Sequence, residues 1–315
     1  MNESGQAATT IAPTMRAIRL RGAGGPDQLV LAEIETPRLG AGEALVRVHA
    51  AAITRDELEW PVDRLPATPS YELSGVVVAV APDVKVVSMG DPVYALTSFD
   101  RDGVAADYAA VAANVLASKP HRLGHVESAA IPLAALSAWQ GLFVHGALEN
   151  GQRVLVHGAA GGVGHLATQL ARKRGAYVIG TASRASAERA RSFGAHEVLD
   201  GSSVRFEDLD PVDLVFDTVG GEALRCSPPV IRESGRLVSV AEEAPKTSAR
   251  SCIESFYFVV EPNREQLVEL AGLIDSGDLY PAIDSVFALA DARAAFERSM
   301  ESGKSGKVVV RVVDE

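Results

Sequence analysis

The sequence predicts a mixed α/β fold in which a strand-rich first part precedes a parallel sheet whose strands alternate with helices. Three observations predict it. Val46 to Ala52, Ser74 to Val80 and Val93 to Leu96 read as buried strands, the last entered through the turn Gly90-Asp91-Pro92. After Leu123, short apolar strands alternate with helical stretches of about 10 to 15 residues, the pattern of right-handed crossovers. An apolar strand, Val154-Leu155-Val156-His157, also runs directly into a glycine-rich turn that opens an amphipathic helix.

In the second region strands are expected at Arg153 to His157, Tyr177 to Thr181, Glu197 to Leu199, Asp213 to Asp217, Arg236 to Val240 and Ser255 to Val260. Such a set suits a doubly wound Rossmann sheet. The helix Gly162 to Arg174 places Val163, Leu166, Ala167, Leu170 and Ala171 on one face and stops at Gly175. A second helix, Ala187 to Phe193, stops at Gly194; a third, disturbed by Pro228 and Pro229, is expected to close at Gly235. Beyond Pro262 the expected elements are a helix at Arg264 to Ser276, a strand near Ile283 to Phe287, a helix at Asp291 to Ser302 and a strand at Lys307 to Val313. These fold back onto the first part, so that residues 1–122 and 262–315 form one domain and 123–261 the other.

With 315 residues, 47% of them hydrophobic and 23% charged, the chain can build a core for two domains. Charges, Pro and Gly interrupt every apolar run before the roughly 20 residues that a membrane span needs. Met1 to Thr14 lacks the charged head, apolar run and cleavage site of a secretory signal, so a cytoplasmic protein is expected. Cys226 and Cys252 are too few for a disulfide framework or a four-cysteine zinc site. A formal charge of −11 speaks against nucleic acid as a partner.

The strongest local signal is Val154-Leu155-Val156-His157-Gly158-Ala159-Ala160-Gly161-Gly162-Val163-Gly164. Glycine there lets the backbone approach a pyrophosphate, which free N–H groups and the positive helix end then hold. Ala159 occupies the place of the usual first glycine. Dinucleotide contacts are therefore expected from Ala160, Gly161, Gly162, Val163 and Gly164. About 20 residues past the turn, where NAD sites place a carboxylate, stand Thr181-Ala182-Ser183-Arg184. Thr181, Ser183 and Arg184 in that position suit the 2′-phosphate of NADP(H), because a guanidinium pairs with phosphate in charge-assisted fashion.

From Met15-Arg16-Ala17-Ile18 to Gly303-Lys304-Ser305-Gly306-Lys307-Val308-Val309-Val310 the chain resembles the zinc-independent medium-chain dehydrogenase/reductase superfamily, in its quinone oxidoreductase and enoyl reductase form. The turn Ala159 to Gly164, Asp217-Thr218-Val219-Gly220-Gly221 and Gly235-Arg236-Leu237-Val238-Ser239 carry the likeness. The resemblance implies a Rossmann sheet plus a GroES-like β-rich barrel that forms the catalytic domain, with substrate between them. It also implies a homodimer joined through Ser255 to Val260, where Phe256-Tyr257-Phe258-Val259-Val260 would need covering.

Zinc relatives hold their catalytic metal with Cys, His and Cys; those positions fall on Ile53, Tyr71 and Ala134, none of which ligates zinc in that way. Without a Lewis acid, hydride addition to a conjugated double bond or quinone is the favoured chemistry, since the resulting anion needs only hydrogen bonds and a proton. By the same resemblance Tyr71 faces the cleft as a hydrogen-bond or proton donor. Ser137, Val219, Val240, Phe258, Val259 and Lys304 border the cofactor. Gly201 stands where many relatives carry a Tyr beside the 2′-phosphate, and Ile53 where many have Asn, which points to a small apolar or aromatic carbonyl or quinone substrate. Two alternatives share these residues: a specialised enoyl reductase of a biosynthetic pathway, and a non-catalytic, crystallin-like NADPH-binding protein.

Overall fold

The structure, a computed structural model, describes residues 11–61, 63–201, 209–244, 253–301 and 303–313. In chain order the first part holds β1 (Thr14–Leu20), β2 (Leu29–Glu35), β3 (Glu43–Ile53), β4 (Glu72–Val80), β5 (Pro92–Leu96), β6 (Tyr108–Ala112) and β7 (Ala117–Ser118). Helices α1 (His125–Ala129) and α2 (Pro132–Trp139) lead to β8 (Arg153–Val156), α3 (Gly164–Lys173), β9 (Tyr177–Ala182), α4 (Ala187–Ser192) and β10 (Glu197–Asp200). Next come β11 (Val212–Asp217), α5 (Gly221–Cys226), β12 (Ile231–Ser239) and β13 (Glu254–Tyr257), and the chain closes with α6 (Arg264–Ser276), β14 (Ile283–Ala288), α7 (Ala292–Met300) and β15 (Lys307–Arg311).

The strands from β8 to β13 make a six-stranded sheet of order β10-β9-β8-β11-β12-β13, parallel throughout. Both faces of such a sheet are covered, and all six residues of β11 are buried accordingly. Strand order reverses at β8, so the end of β8 opens on the topological switch point where ligands of this architecture bind.

The other large sheet has seven strands in the order β14-β15-β3-β4-β5-β7, with β6 paired to β3. Its pairings are antiparallel except β14 with β15. The eleven residues of β3 serve β6 along their first half and β15 along their second, with β4 opposite. Small side chains let α1 lie close to β3: Ala50, Ala52, Ala129, Ala130 and Val309 form one buried cluster.

A second, larger cluster ties the two sheets together. It joins Tyr71, Tyr94 and Leu96 to Leu136 and Leu142, to Leu166 and Leu170, and to Leu267, Leu270 and Ile274 of α6. Each large aliphatic side chain buried here contributes about 1.5–3 kcal/mol. The Tyr94 hydroxyl donates to Leu267 O at 2.5 Å, while Asn263 caps the start of α6 by accepting from Gln266 N at 2.9 Å.

The third expected crossover helix differs from expectation. Helix α5 ends at Cys226, and Gly235 lies inside β12 instead of closing a helix. Pro228 and Pro229 break the helical run early, and the strand then accommodates a bulge in which Ile231 pairs with Val212 but Arg236 with Leu214. A side chain at Gly235 would stand 2.9 Å from Asp213 O, so glycine is there for close approach to β11. Strand β15 stops at Arg311, because the amides of Val312 and Val313 turn to His49 O. Strand β13 ends at Tyr257, leaving Phe258 and Val259 beyond it. Cys252 and Ser302 lie outside the described residues.

Candidate active site

The glycine turn at the end of β8 is built by close contacts that only missing side chains allow. Gly158 has φ 71°, and a Cβ there would stand 2.8 Å from Val219 Cγ2 and 2.9 Å from Thr218 Oγ1. A Cβ on Gly164 would fall 2.0 Å from Gly158 O, so α3 starts directly on the turn. Ala159 is tolerated at the first-glycine position because Gly180, on the neighbouring strand, yields the space: a Cβ on Gly180 would sit 2.5 Å from that of Ala159.

Thr181 is 4% exposed, and its Oγ1 accepts the Gly158 amide at 3.1 Å and lies 3.2 Å from Nδ1 of buried His157. It thus shapes the turn from behind. The amides of Ala160, Gly162 and Val163 donate to no other group among the described residues. Together with the N-terminus of α3 they form a cradle whose chemistry fits a pyrophosphate.

The C-terminal segment is fastened to this cradle. Ser305 Oγ donates to Ala160 O at 3.1 Å, and the Lys307 stem runs 3.4 Å from the place of a Gly162 Cβ. Buried His165 bridges Gly161 O, 2.8 Å from Nδ1, and the Ala282 amide, 3.0 Å from Nε2. Since Nε2 accepts an amide proton, Nδ1 carries the ring proton; burial pushes this imidazole down to about 4 and keeps it neutral.

At the end of β9, Ser183 is exposed and its hydroxyl donates to Ser186 Oγ at 3.1 Å. Arg184 is 92% exposed, with Nε 2.9 Å from Asp200 Oδ2. Ala182, Arg184, Ala187, Arg191 and Asp200 line a cavity of about 310 Å³. The sequence shows no carboxylate beside Arg184; the fold supplies one from β10, because Ala182 and Asp200 are register partners, and α4 brings Arg191 as a second cation. Gly201 donates its amide to Ala182 O at 2.9 Å at the cavity's rim.

Opposite the turn, Val219 is 59% exposed and overlies Gly158. Its loop is held by buried Asp217, which accepts from the amides of Val219 at 3.2 Å and Gly220 at 3.1 Å and from Ser239 Oγ at 2.8 Å. Val240 is half-buried and donates its amide to Asp217 O. Half-buried Phe258 lies with its ring 4.4 Å from that of His145, and Val259 is 62% exposed. Ser137 is buried on α2, with no hydrogen bond from its hydroxyl among the described residues. Lys304 is half-buried, donates to Glu301 O at 3.2 Å, and is held below the usual lysine range by burial and then by Arg55.

Tyr71 is fully buried, with ring centroids 5.5 Å from Trp60 and 5.3 Å from Phe99. Arg64 Nη2 donates to its hydroxyl at 3.2 Å and to the carbonyls of Phe99 and Arg101, leaving the phenolic proton free to donate elsewhere. Burial raises the Tyr71 phenol above its ordinary value, and Arg64 opposes that shift.

Sequence reading missed a buried ionic group between Tyr71 and the turn. Lys307 Nζ pairs with Glu72 Oε1 at 2.5 Å and reaches Thr54 Oγ1 at 3.1 Å. Glu57 accepts the amides of Thr54 and Ser70, each at 3.1 Å, and burial pushes it up to about 8. Its one signal in the sequence is charge inside otherwise apolar segments.

Ile53, Tyr71 and Ala134 supply no thiolate or imidazole, and among the described residues no three His, Cys, Asp or Glu side chains converge on one point. These residues do not fit a catalytic zinc ion.

Residues 40–121 match the family model described as alcohol dehydrogenase GroES-like domain, and 193–310 the one described as zinc-binding dehydrogenase. A 2-methylene-furan-3-one reductase of Solanum lycopersicum is 33% identical over 325 residues, 96% of this chain and 81% of that protein. A chloroplastic NADPH-dependent alkenal/one oxidoreductase of Arabidopsis thaliana is 33% identical over 308 residues, 91% of this chain and 77% of that protein. The solved quinone oxidoreductase of Coxiella burnetii superposes with a TM-score of 0.88 at 30% identity, over 95% of this chain and 100% of that one.

Proposed function

The chain belongs to the medium-chain dehydrogenase/reductase superfamily, among its quinone and enoyl reductases, and we propose that it reduces a quinone or a C=C bond conjugated to a carbonyl with NADPH, without zinc. The observation that carries the reading is the pairing of an intact dinucleotide cradle at Gly158 to Gly164 with a metal position occupied by Ile53, Tyr71 and Ala134.

NADPH supplies the hydride. The chain's own residues do the rest: amides of the turn hold pyrophosphate, and Arg184 with Arg191 at the β9 end takes the 2′-phosphate. Ser137, Val240 and Phe258 confine the nicotinamide half, and Lys304 adds positive charge near the turn. Tyr71, its hydroxyl oriented by Arg64, is enclosed by Trp60 and Phe99, so it donates a hydrogen bond to the oxygen on which charge develops once an acceptor parts these two rings, which then make the wall suited to an apolar or aromatic group. Water is the natural final proton source, since burial makes the phenol a weaker acid.

Residues 1–122 with 262–315 form the catalytic unit in this reading, and 123–261 the cofactor unit. Among the described residues β13 ends the sheet, and Tyr257 and Val259 are exposed, which supports a homodimer through that strand. No helix among the described residues is long and apolar enough to cross a membrane; a cytoplasmic location belongs to the proposal and is checked by cell fractionation. The test of function is NADPH oxidation by the purified protein against a panel of enones and quinones, with NADH and a chelator as controls. Chelator-insensitive turnover that prefers NADPH is expected; tight NADPH binding without turnover of any acceptor would overturn the catalytic reading.

A further inference from the structure

Lys307 touches more of the cleft than any sequence motif assigns to it. Its side chain is 6% exposed, yet it carries an ammonium that forms an ion pair with Glu72 at 2.5 Å and donates a hydrogen bond to Thr54 Oγ1 at 3.1 Å. Its stem lies against the backbone of the cofactor turn, 3.4 Å from the place of a Gly162 Cβ. Glu72 follows Tyr71 directly, and its second oxygen accepts the Leu133 amide at 2.9 Å, fixing the start of the helix that bears Ser137. Thr54 opens the loop leading to Trp60 and Arg64, and Glu57 holds both ends of that segment through the amides of Thr54 and Ser70. One buried cation therefore joins the floor of the phosphate cradle, the helix under the nicotinamide half and the wall facing the acceptor.

A buried ion pair is a weak stabiliser, because desolvation offsets most of the Coulombic gain, and a well-packed apolar pair would hold the strands as firmly. What apolar contact cannot do is fix three backbones in one register through directed bonds. We propose that Lys307 is a positioning residue: it couples seating of the dinucleotide on the Gly161-Gly162 turn to the placement of the Thr54 to Trp60 wall, so that bound cofactor prepares the acceptor site. This rests on the reading of the cleft as an NADPH and acceptor site.

The test is the linkage between the two ligands, measured with NADP+ and cyclohexenone as an unreactive pair. NADP+ affinity is determined by fluorescence with and without saturating cyclohexenone, for the wild type, Thr54→Val, Lys307→Met and Lys307→Arg, beside their melting temperatures. The wild type is expected to bind NADP+ about fivefold or more tightly when the enone is present. Thr54→Val, which removes one hydroxyl and keeps the ion pair, is expected to lose most of that factor with its melting temperature unchanged. Lys307→Met loses it entirely, and Lys307→Arg restores part of it. Should Lys307→Met fail to fold, Thr54→Val decides alone. Full coupling in a natively stable Thr54→Val, or wild-type binding of NADP+ that ignores the enone, overturns the inference and leaves the proposed function standing. Absence of any NADP+ binding would overturn both.

Discussion

Arg184 Nε lies 2.9 Å from a carboxylate oxygen of Asp200, with the arginine 92% exposed and the aspartate at the end of the adjoining strand. The guanidinium expected to take the 2′-phosphate thus already has an anionic partner, and a phosphate entering the same cavity meets that carboxylate as a like charge. An exposed ion pair of this kind is worth about 0.2–1 kcal/mol, so a phosphate dianion competes for Arg184 effectively. Asp200→Asn is expected to lower KM for NADPH about threefold. Arg184→Gln should raise it about tenfold and leave KM for NADH nearly unchanged. Parallel kinetics with the two cofactors check both.

The glycine turn yields a second prediction, because its glycines differ in what surrounds them. A methyl on Gly164 would meet Gly158 O at 2.0 Å, whereas one on Gly162 would meet nothing closer than Lys307 Cδ at 3.4 Å. Gly164→Ala is expected to lose both thermal stability and NADPH binding. Gly162→Ala should keep the wild-type melting temperature and weaken NADPH about tenfold, because a methyl set between the Lys307 stem and Gly306 O crowds the backbone of the cradle.

His125, His157 and His165 are each pushed down to about 4, chiefly by burial. They are neutral in the folded protein, while the unfolded chain takes up a proton on each below about 6.5. Stability is therefore lost as pH falls from about 6.5 towards 4, the unfolded state binding more protons there. Glu57 acts with the opposite sign: raised to about 8 by burial, it loses stability as pH rises from its ordinary carboxylate range towards 8. Three histidines outweigh one carboxyl on the acid side. Melting temperature against pH should fall steadily on the acid side of 6.5, less steeply in His165→Gln, and should fall more gently towards 8 unless Glu57 is replaced by Gln.

Tyr71 and Arg64 should behave as one unit. Tyr71→Phe is expected to lower kcat about tenfold with KM for NADPH unchanged, Arg64→Met to do nearly the same, and the double variant to be little worse than either. Full turnover in Tyr71→Phe would remove the tyrosine from the reaction.

Much of the fold was legible because periodicity and punctuation agreed. Strands β8, β9 and β11 and helix α6 stand where apolar runs, caps and glycine stops put them. Gly235 misled because a glycine that permits close strand approach reads, in sequence, like a helix stop. The glycine turn was legible for the same local reason. Glu57, Glu72, Thr54 and Lys307 were not, since their meeting depends on β15 returning to pair with β3 across most of the chain. The Arg184–Asp200 pair escaped notice likewise: it arises from the register of β10 on β9, which no local spacing encodes.

Hydride transfer from NADPH to the carbon conjugated with a carbonyl, without a metal, can be followed by reducing an enone with NADPH dideuterated at the nicotinamide C4, in the presence of a chelator, and locating the label. Deuterium is expected on the β-carbon and a solvent proton on the α-carbon. A deuterium on the carbonyl carbon, giving an allylic alcohol, or a reaction abolished by the chelator, would contradict that route.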